Sequence, residues 1–81
     1  MQLTLYTRPG CHLCDDVKES LARARQVEPF ELREIDISTD PTLERRYGRD
    51  IPVLLINGAE AARHRINEPE LLRKLKGERA P

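Results

Sequence analysis

Hydrophobic and polar residues alternate with two different periods along this chain, and each change of period marks a new element. Residues 2–7 alternate polar and apolar side chains, which predicts a short strand that ends before Arg8-Pro9-Gly10. From there on, apolar positions recur every three or four residues, which predicts an amphipathic helix. The residues on its apolar face are Cys14, Val17, Leu21 and Ala24.

A second strand and a second helix are predicted in the middle of the chain. Residues 30–37 follow a partial period of two that slips at Arg33-Glu34, which is typical of a bulge or of an edge strand. Residues 38–41 supply an N-cap followed by a proline at the first helical position. The short helix that they open is predicted to end at Gly48.

The longest apolar run, at residues 51–56, predicts a central strand. Asn57-Gly58 follows it and supplies the two positive φ angles that a tight hairpin needs. Residues 59–65 are therefore expected to return as an antiparallel strand, polar enough to lie at the edge of the sheet.

The last predicted element is a helix with a capping box formed by Asn67 and Glu70. Its expected end is Gly77, with a frayed tail over residues 78–81. The predicted order is β-α-β-α-β-β-α, an α/β fold with a four-stranded mixed sheet and helices on both faces. We expect one domain over residues 1–81, with an ordered core at about residues 2–76.

Composition and charge limit what such a domain can do. The 81 residues, 35% of them charged, leave no material for a second core. Because 14 basic residues balance 14 acidic ones, neither nucleic acid nor a membrane surface is expected as a partner. No apolar run suits a bilayer span or a secretory signal, so we expect a cytoplasmic monomer.

Two cysteines, Cys11 and Cys14, carry the candidate chemistry. A bridge between them closes a short loop and removes little chain entropy, so a structural role explains them poorly. Cys11 lies at the strand-to-helix junction, where unpaired N–H groups and the helix dipole lower the pKa of a thiol, although Asp15 and Asp16 oppose that shift. Cys11 is therefore the expected nucleophile and Cys14, on the apolar face, the resolving thiol.

Metal binding is the alternative for the same cysteines. A closed zinc site wants four ligands, and the only further candidates are His12 and His64. A shared iron–sulfur cluster would need ligands from outside the chain. His12 is interpreted either as a tuner of the Cys11 thiolate or as a solvent-facing residue of the first helical turn.

Residues 6–14, the Ile51-Pro52-Val53 segment and the hairpin after it resemble a glutaredoxin-like protein of the thioredoxin superfamily. The resemblance implies that Pro52 is cis and faces the cysteines, and that the backbone of Ile51 pairs with substrate. It also implies that Arg8, in place of a lysine common in glutaredoxins, favours the thiolate and meets a substrate carboxylate. The implied activity is thiol–disulfide exchange, with no cofactor beyond the Cys11-Cys14 disulfide.

The chain departs from that family in ways that bear on its partners. It has no tryptophan, and Leu5 stands where thioredoxins keep a buried aspartate. His12-Leu13 replaces the Pro-Tyr of many glutaredoxins, and the Gly-Gly that helps them hold glutathione is absent from residues 62–65. We expect as partners disulfide-bearing proteins or small thiols, with a dithiol reductase or glutathione as electron donor. Exchange with protein disulfides or a dithiol reductant is expected to be easier than with glutathione mixed disulfides.

Overall fold

The computed structural model of the protein describes residues 1–79, which form four strands, three α-helices and one turn of 3₁₀ helix. The strands are β1 (Gln2–Thr7), β2 (Glu31–Asp36), β3 (Val53–Ile56) and β4 (Ala59–Arg63). The helices are α1 (His12–Val27), α2 (Pro41–Tyr47) and α3 (Glu68–Arg79), and the 3₁₀ turn is Ile37–Thr39. The predicted order and fold class are confirmed.

The four strands form one mixed sheet in the order β2-β1-β3-β4. β1 and β2 are parallel, as expected for strands joined through a helix, and β3 is antiparallel to both β1 and β4. β2 is an edge strand and pairs with β1 without a shift of register, so the edge alternative was right and the bulge alternative wrong. A register shift occurs instead between Leu54 and Leu55, where β3 pairs with β4.

The hairpin between β3 and β4 has the predicted turn, because Asn57 and Gly58 adopt φ angles of 48° and 86°. The predicted extension of β4 to residue 65 is wrong, since the strand ends at Arg63. His64 takes a φ of 65°, and its N–H donates to the carbonyl of Pro52 at 2.8 Å. This left-handed residue turns the chain away from the sheet.

One face of the sheet is covered by α1 and α3 and holds the larger core cluster. The predicted apolar face of α1 is confirmed, because the four residues assigned to it are the buried ones. Three of them, Val17, Leu21 and Ala24, pack with inward side chains of the sheet and of α3. The larger cluster consists of Leu3, Leu5, Val17, Leu21, Ala24, Phe30, Leu54, Ile56, Leu71 and Leu75.

The other face is covered by the 3₁₀ turn and α2 and holds a smaller cluster, formed by Ile37, Tyr47 and Val53. The predicted strand over residues 30–37 is one residue too long at each end. Asp36 caps the 3₁₀ turn by accepting from the N–H of Ser38 at 2.9 Å, which directs Ile37 into the core.

The third helix begins as predicted but ends later. The side chain of Asn67 accepts from the N–H of Glu70 at 3.0 Å. The expected end at Gly77 is wrong, because α3 continues to Arg79. Arg79 pairs with the carboxylate of Glu28, and Glu78 accepts from the amide of Asn57 at 3.1 Å.

These contacts hold the last turn against the body, so Glu78 and Arg79 are helical rather than frayed. Residues 80–81, the rest of the tail expected to fray, lie outside the described residues. Within residues 1–79, no helix combines the length and the apolar character needed to cross a membrane.

Both edges of the sheet are approached by a lysine from the helix beside them. Lys74 of α3 donates to the carbonyl of Ala61 on β4 at 2.8 Å. Lys18 of α1 lies 3.8 Å from the carboxylate of Glu34 on β2. Each edge strand therefore carries a neighbouring positive charge.

Candidate functional site

Three segments meet at the end of the sheet where β1 terminates. The loop after β1 leads to Cys11, the N-cap of α1. Val53 pairs with Tyr6, so Pro52, one residue before β3, lies at this same end. The hydrogen bond from His64 to Pro52 brings the exit of β4 to the same place. The topology thus gathers the predicted cysteines and the predicted Ile51-Pro52 segment.

Cys11 sits where the first turn of α1 presents its free N–H groups. It is half-buried and has extended backbone angles, and its Sγ accepts from the N–H of Cys14 at 3.1 Å. A sulfur in this position receives both a hydrogen bond and the positive end of the helix dipole. Both interactions favour a thiolate over a thiol when the pair is reduced.

Cys14 faces the interior of the protein, with 1% of its surface exposed. It is joined to Cys11 by a disulfide whose Cα atoms are 5.2 Å apart, within the usual range for such bonds. An attacking group from solvent therefore meets Cys11 first. This asymmetry matches the expected division into an accessible and a shielded sulfur.

The Ile51–Pro52 peptide bond is cis, as the resemblance implied. Pro52 is buried and Ile51 is half-buried. The N–H of Ile51 donates to the carbonyl of Tyr47 at 3.1 Å. That donor is used within the protein, and the expected pairing of the Ile51 backbone with substrate stays a prediction.

Arg8 lies in the loop before Cys11, but its side chain is directed toward α2. One guanidinium nitrogen donates to the carboxylate of Glu44, and the same nitrogen lies 3.3 Å from the carbonyl of Gly48. The backbone of Arg8 faces the site, because its carbonyl accepts from the N–H of Cys11 at 3.3 Å. The expected contact of this side chain with a substrate carboxylate stays a prediction.

The two histidines lie on different segments of the chain, His12 on α1 and His64 just after β4. His12 is exposed at the first residue of α1, and its suggested effect on the thiolate stays a prediction. His64 and Arg65 form one wall of a groove of about 350 Å³ beside α1. The opposite wall is formed by Leu13, Asp16, Val17 and Ser20, and Ile66 completes the lining.

Hydrogen bonds lower the pKa of two carboxyl groups, one at the end of β2 and one on β4. The hydroxyl and the N–H of Ser38 hold the pKa of Asp36 below its usual value, and the charge of Arg8 adds to the effect. The guanidinium of Arg63 likewise lowers the pKa of Glu60. Arg63 also pairs with Asp50 at 2.8 Å, so its charge is balanced on the protein surface.

Among residues 1–79, no three histidine, cysteine, aspartate or glutamate side chains are grouped so that they could hold a metal ion. The candidate zinc ligands His12 and His64 do not join the two cysteines in such a group.

The sheet order and the cysteine pair at the start of α1 define a protein of thioredoxin-like fold with a dithiol of the kind used by thiol oxidoreductases. The family model described as "Glutaredoxin-like domain (DUF836)" matches residues 2–76. The chain belongs to this glutaredoxin-like family, which confirms the resemblance inferred from its motifs.

Similar proteins agree with this assignment. An uncharacterized protein of Mycobacterium tuberculosis is 32% identical over 75 residues, which cover 86% of this chain and 77% of that protein. The X-ray structure of protein XcR50 from X. campestris matches with a TM-score of 0.80 and 37% identity, over 98% of this chain and 99% of that one. A mutant thioredoxin from Halobacterium salinarum shares the fold at a TM-score of 0.65 and 18% identity, over 94% and 72% of the two chains.

The sequence did not indicate the residues that surround Arg8. Glu44 and Gly48 are 36 and 40 positions away from it, and neither belongs to a recognisable motif. The stacked rings of Tyr6 and Tyr47, 4.6 Å apart, were also missed. The sequence predicted the helix that carries these contact residues. It did not predict where that helix packs on the sheet, because this depends on the tertiary fold.

Proposed function

We propose that this protein is a thiol–disulfide oxidoreductase in which Cys11 is the nucleophile and Cys14 the resolving thiol. The observation that carries the proposal is the asymmetry of the pair. The sulfur of Cys11 accepts the N–H of Cys14 at the start of α1, whereas Cys14 has 1% of its surface exposed. The sulfur of Cys11 is activated and accessible, and that of Cys14 is shielded from solvent until the second exchange step.

The reduced pair would act in two exchange steps. The Cys11 thiolate attacks one sulfur of a substrate disulfide, which forms a mixed disulfide and releases the other substrate sulfur as a thiolate. Cys14 then loses its proton and attacks the sulfur of Cys11, which releases the second substrate thiolate. The substrate gains two electrons, and the protein is left with the Cys11–Cys14 bond.

Removing each cysteine in turn tests this assignment. Cys11→Ser is expected to abolish the acceleration that the protein gives to reduction of insulin disulfides by dithiothreitol, because no thiolate remains at the helix N-terminus. Cys14→Ser is expected to accumulate a mixed disulfide at Cys11, detectable by mass spectrometry without reductant. Unchanged reductase activity in both variants, or alkylation of Cys14 alone in the reduced protein, would contradict the proposal.

Metal binding by the same cysteines is the alternative, and it is tested by measuring the metal content and the chelator sensitivity of the purified protein. A protein that holds zinc or an iron–sulfur cluster would be isolated with bound metal and would lose structure when treated with a chelator. The redox proposal expects the purified protein to be free of stoichiometric metal and indifferent to chelator.

For the substrate, we propose disulfide-bearing proteins or small disulfides, with a dithiol reductase in preference to glutathione as electron donor. Glutathione needs close approach to backbone N–H groups, which small glycines allow in glutaredoxins. Here His64 occupies a left-handed position, with Arg65 beside it, in the wall of the groove along α1. Their side chains narrow the approach, although the charge of Arg65 favours a carboxylate.

Glutathione and dithiol reductants can be compared directly. The expected kcat/KM is lower for a glutathionylated peptide than for a protein disulfide, with a glutaredoxin assayed in parallel. The matched variant His64→Gly removes the side chain and suits the φ of 65°, so it is expected to raise the rate with glutathione. Efficient, saturable deglutathionylation by the unmodified protein would overturn the preference.

A further inference from the structure

We propose that Arg8 is a positioning residue that holds the Cys11 loop and the Ile51–Pro52 segment at a fixed separation, rather than a residue that contacts substrate. The inference rests on the proposed function, because these two segments are the walls between which a disulfide would bind. According to this inference, Arg8 affects the geometry of the site through its contacts with α2.

The contacts of Arg8 run in two directions. Its backbone carbonyl accepts from the N–H of Cys11, which fixes the loop that carries the nucleophile. Its guanidinium donates to Glu44, in the middle of α2, and to the carbonyl of Gly48, the C-cap of that helix. One residue therefore joins the Cys11 loop to a helix that follows it by more than thirty positions.

The C-terminal end of α2 holds the segment before β3. The carbonyl of Tyr47 accepts from the N–H groups of Asp50 and Ile51, at 2.8 and 3.1 Å. The ring of Tyr47 stacks on that of Tyr6, two residues before Arg8. A displacement of α2 would therefore move Ile51 and Pro52 relative to Cys11.

Gly48 provides the space that the guanidinium occupies. Its φ of −54° is ordinary for any residue, so conformation does not explain the glycine. A Cβ there would lie 2.4 Å from the carbonyl oxygen and 2.9 Å from the carboxylate of Glu44, and 3.2 Å from the guanidinium of Arg8. The missing side chain lets the three groups meet.

The charges around Arg8 also argue against a free cation at the site. Glu44 is in direct contact with the guanidinium, and Asp36 is close enough for the two charges to interact. A substrate carboxylate would have to compete with Glu44 for the charge of Arg8. The positive charge of Arg8 is already balanced within the protein.

A double-mutant cycle over Arg8→Gln and Glu44→Gln tests the inference. Each single variant is expected to raise KM for insulin disulfides about threefold or more, with a much smaller change in kcat. The double variant is expected to be no worse than the more affected single variant, because both changes break the same contact. Arg23→Gln, which breaks the exposed ion pair with Glu68, is the control expected to leave KM unchanged.

Backbone hydrogen exchange gives a second measurement that does not depend on turnover. The amides of Cys11 and Ile51 are expected to exchange faster in both single variants than in the unmodified protein or in Arg23→Gln. Unchanged exchange at both amides would overturn the inference, and so would a KM that rises in Arg8→Gln but not in Glu44→Gln. An unmodified protein without reductase activity would refute the proposed function, while the exchange rates would still decide the role of Arg8.

Discussion

The two faces of the sheet are covered in different ways. On one face, helices of 16 and 12 residues enclose ten buried core residues. On the other, a helix of seven residues covers three. Polar contacts replace apolar burial on that second face, including the contact of Arg8 with Glu44 and the cap at Asp36. The comparison indicates that most of the stability comes from the first face, whereas the second carries the contacts that we propose to position the site.

The largest expected effect is a loss of stability when the first face is truncated. Leu21 is 1% exposed within the larger cluster, so Leu21→Ala removes buried contacts and leaves a cavity. The expected loss is about 3 kcal/mol in the free energy of unfolding, measured by urea denaturation. Val27→Ala, at an exposed position of the same helix, is the control expected to stay within about 0.5 kcal/mol. A loss below that of the control would contradict the assignment of stability to this face.

Alanine in place of one glycine on each face is expected to act with opposite signs. Gly48→Ala places a Cβ 2.4 Å from the carbonyl oxygen of Glu44 and is expected to cost about 1–3 kcal/mol. Gly77→Ala meets nothing within 4 Å inside α3 and is expected to add about 0.5–1 kcal/mol. Thermal unfolding of both variants gives the comparison, and a stabilising Gly48→Ala would show that the space near Arg8 is not needed.

The smallest expected effect concerns pH and the ion pair that joins the two helices of the first face. The hydrogen bond from Arg23 holds the pKa of Glu68 below its usual value. A carboxyl group with a lowered folded pKa stabilises the protein above its unfolded pKa, and that contribution is lost as the pH falls through the folded pKa. The unmodified protein is therefore expected to exceed Glu68→Gln in stability at neutral pH, with the difference vanishing in acid. A difference that does not depend on pH would exclude the ion pair as its cause.

Local patterns were sufficient to predict the elements, but contacts between distant residues were not predictable. The apolar face of α1 and the Asn57-Gly58 turn depend on neighbouring residues, and both are confirmed. Gly77 carries the usual signal for a helix end. The helix nevertheless continues through Glu78 and Arg79, because both residues make contacts with distant parts of the chain.

In the candidate site, too, some features follow from neighbouring residues and others depend on distant ones. The positions expected of Cys11 and Cys14, one at the start of α1 and the other on its apolar face, follow from their spacing and from the helix pattern, and the structure places both as expected. The direction of the Arg8 side chain depends on Glu44, which is 36 positions away. A short motif contains no information about such a partner.

The lysines beside the two edge strands have a consequence for the behaviour of the protein at high concentration. A second molecule that added a strand to β4 would have to displace Lys74 from the carbonyl of Ala61, and one that added to β2 would approach Lys18 and Glu34. Either step would bury charged side chains against the backbone of the added strand. The free-energy cost of removing these charges from water opposes edge-to-edge association. The helices that build the core thus also protect the open sheet from aggregation.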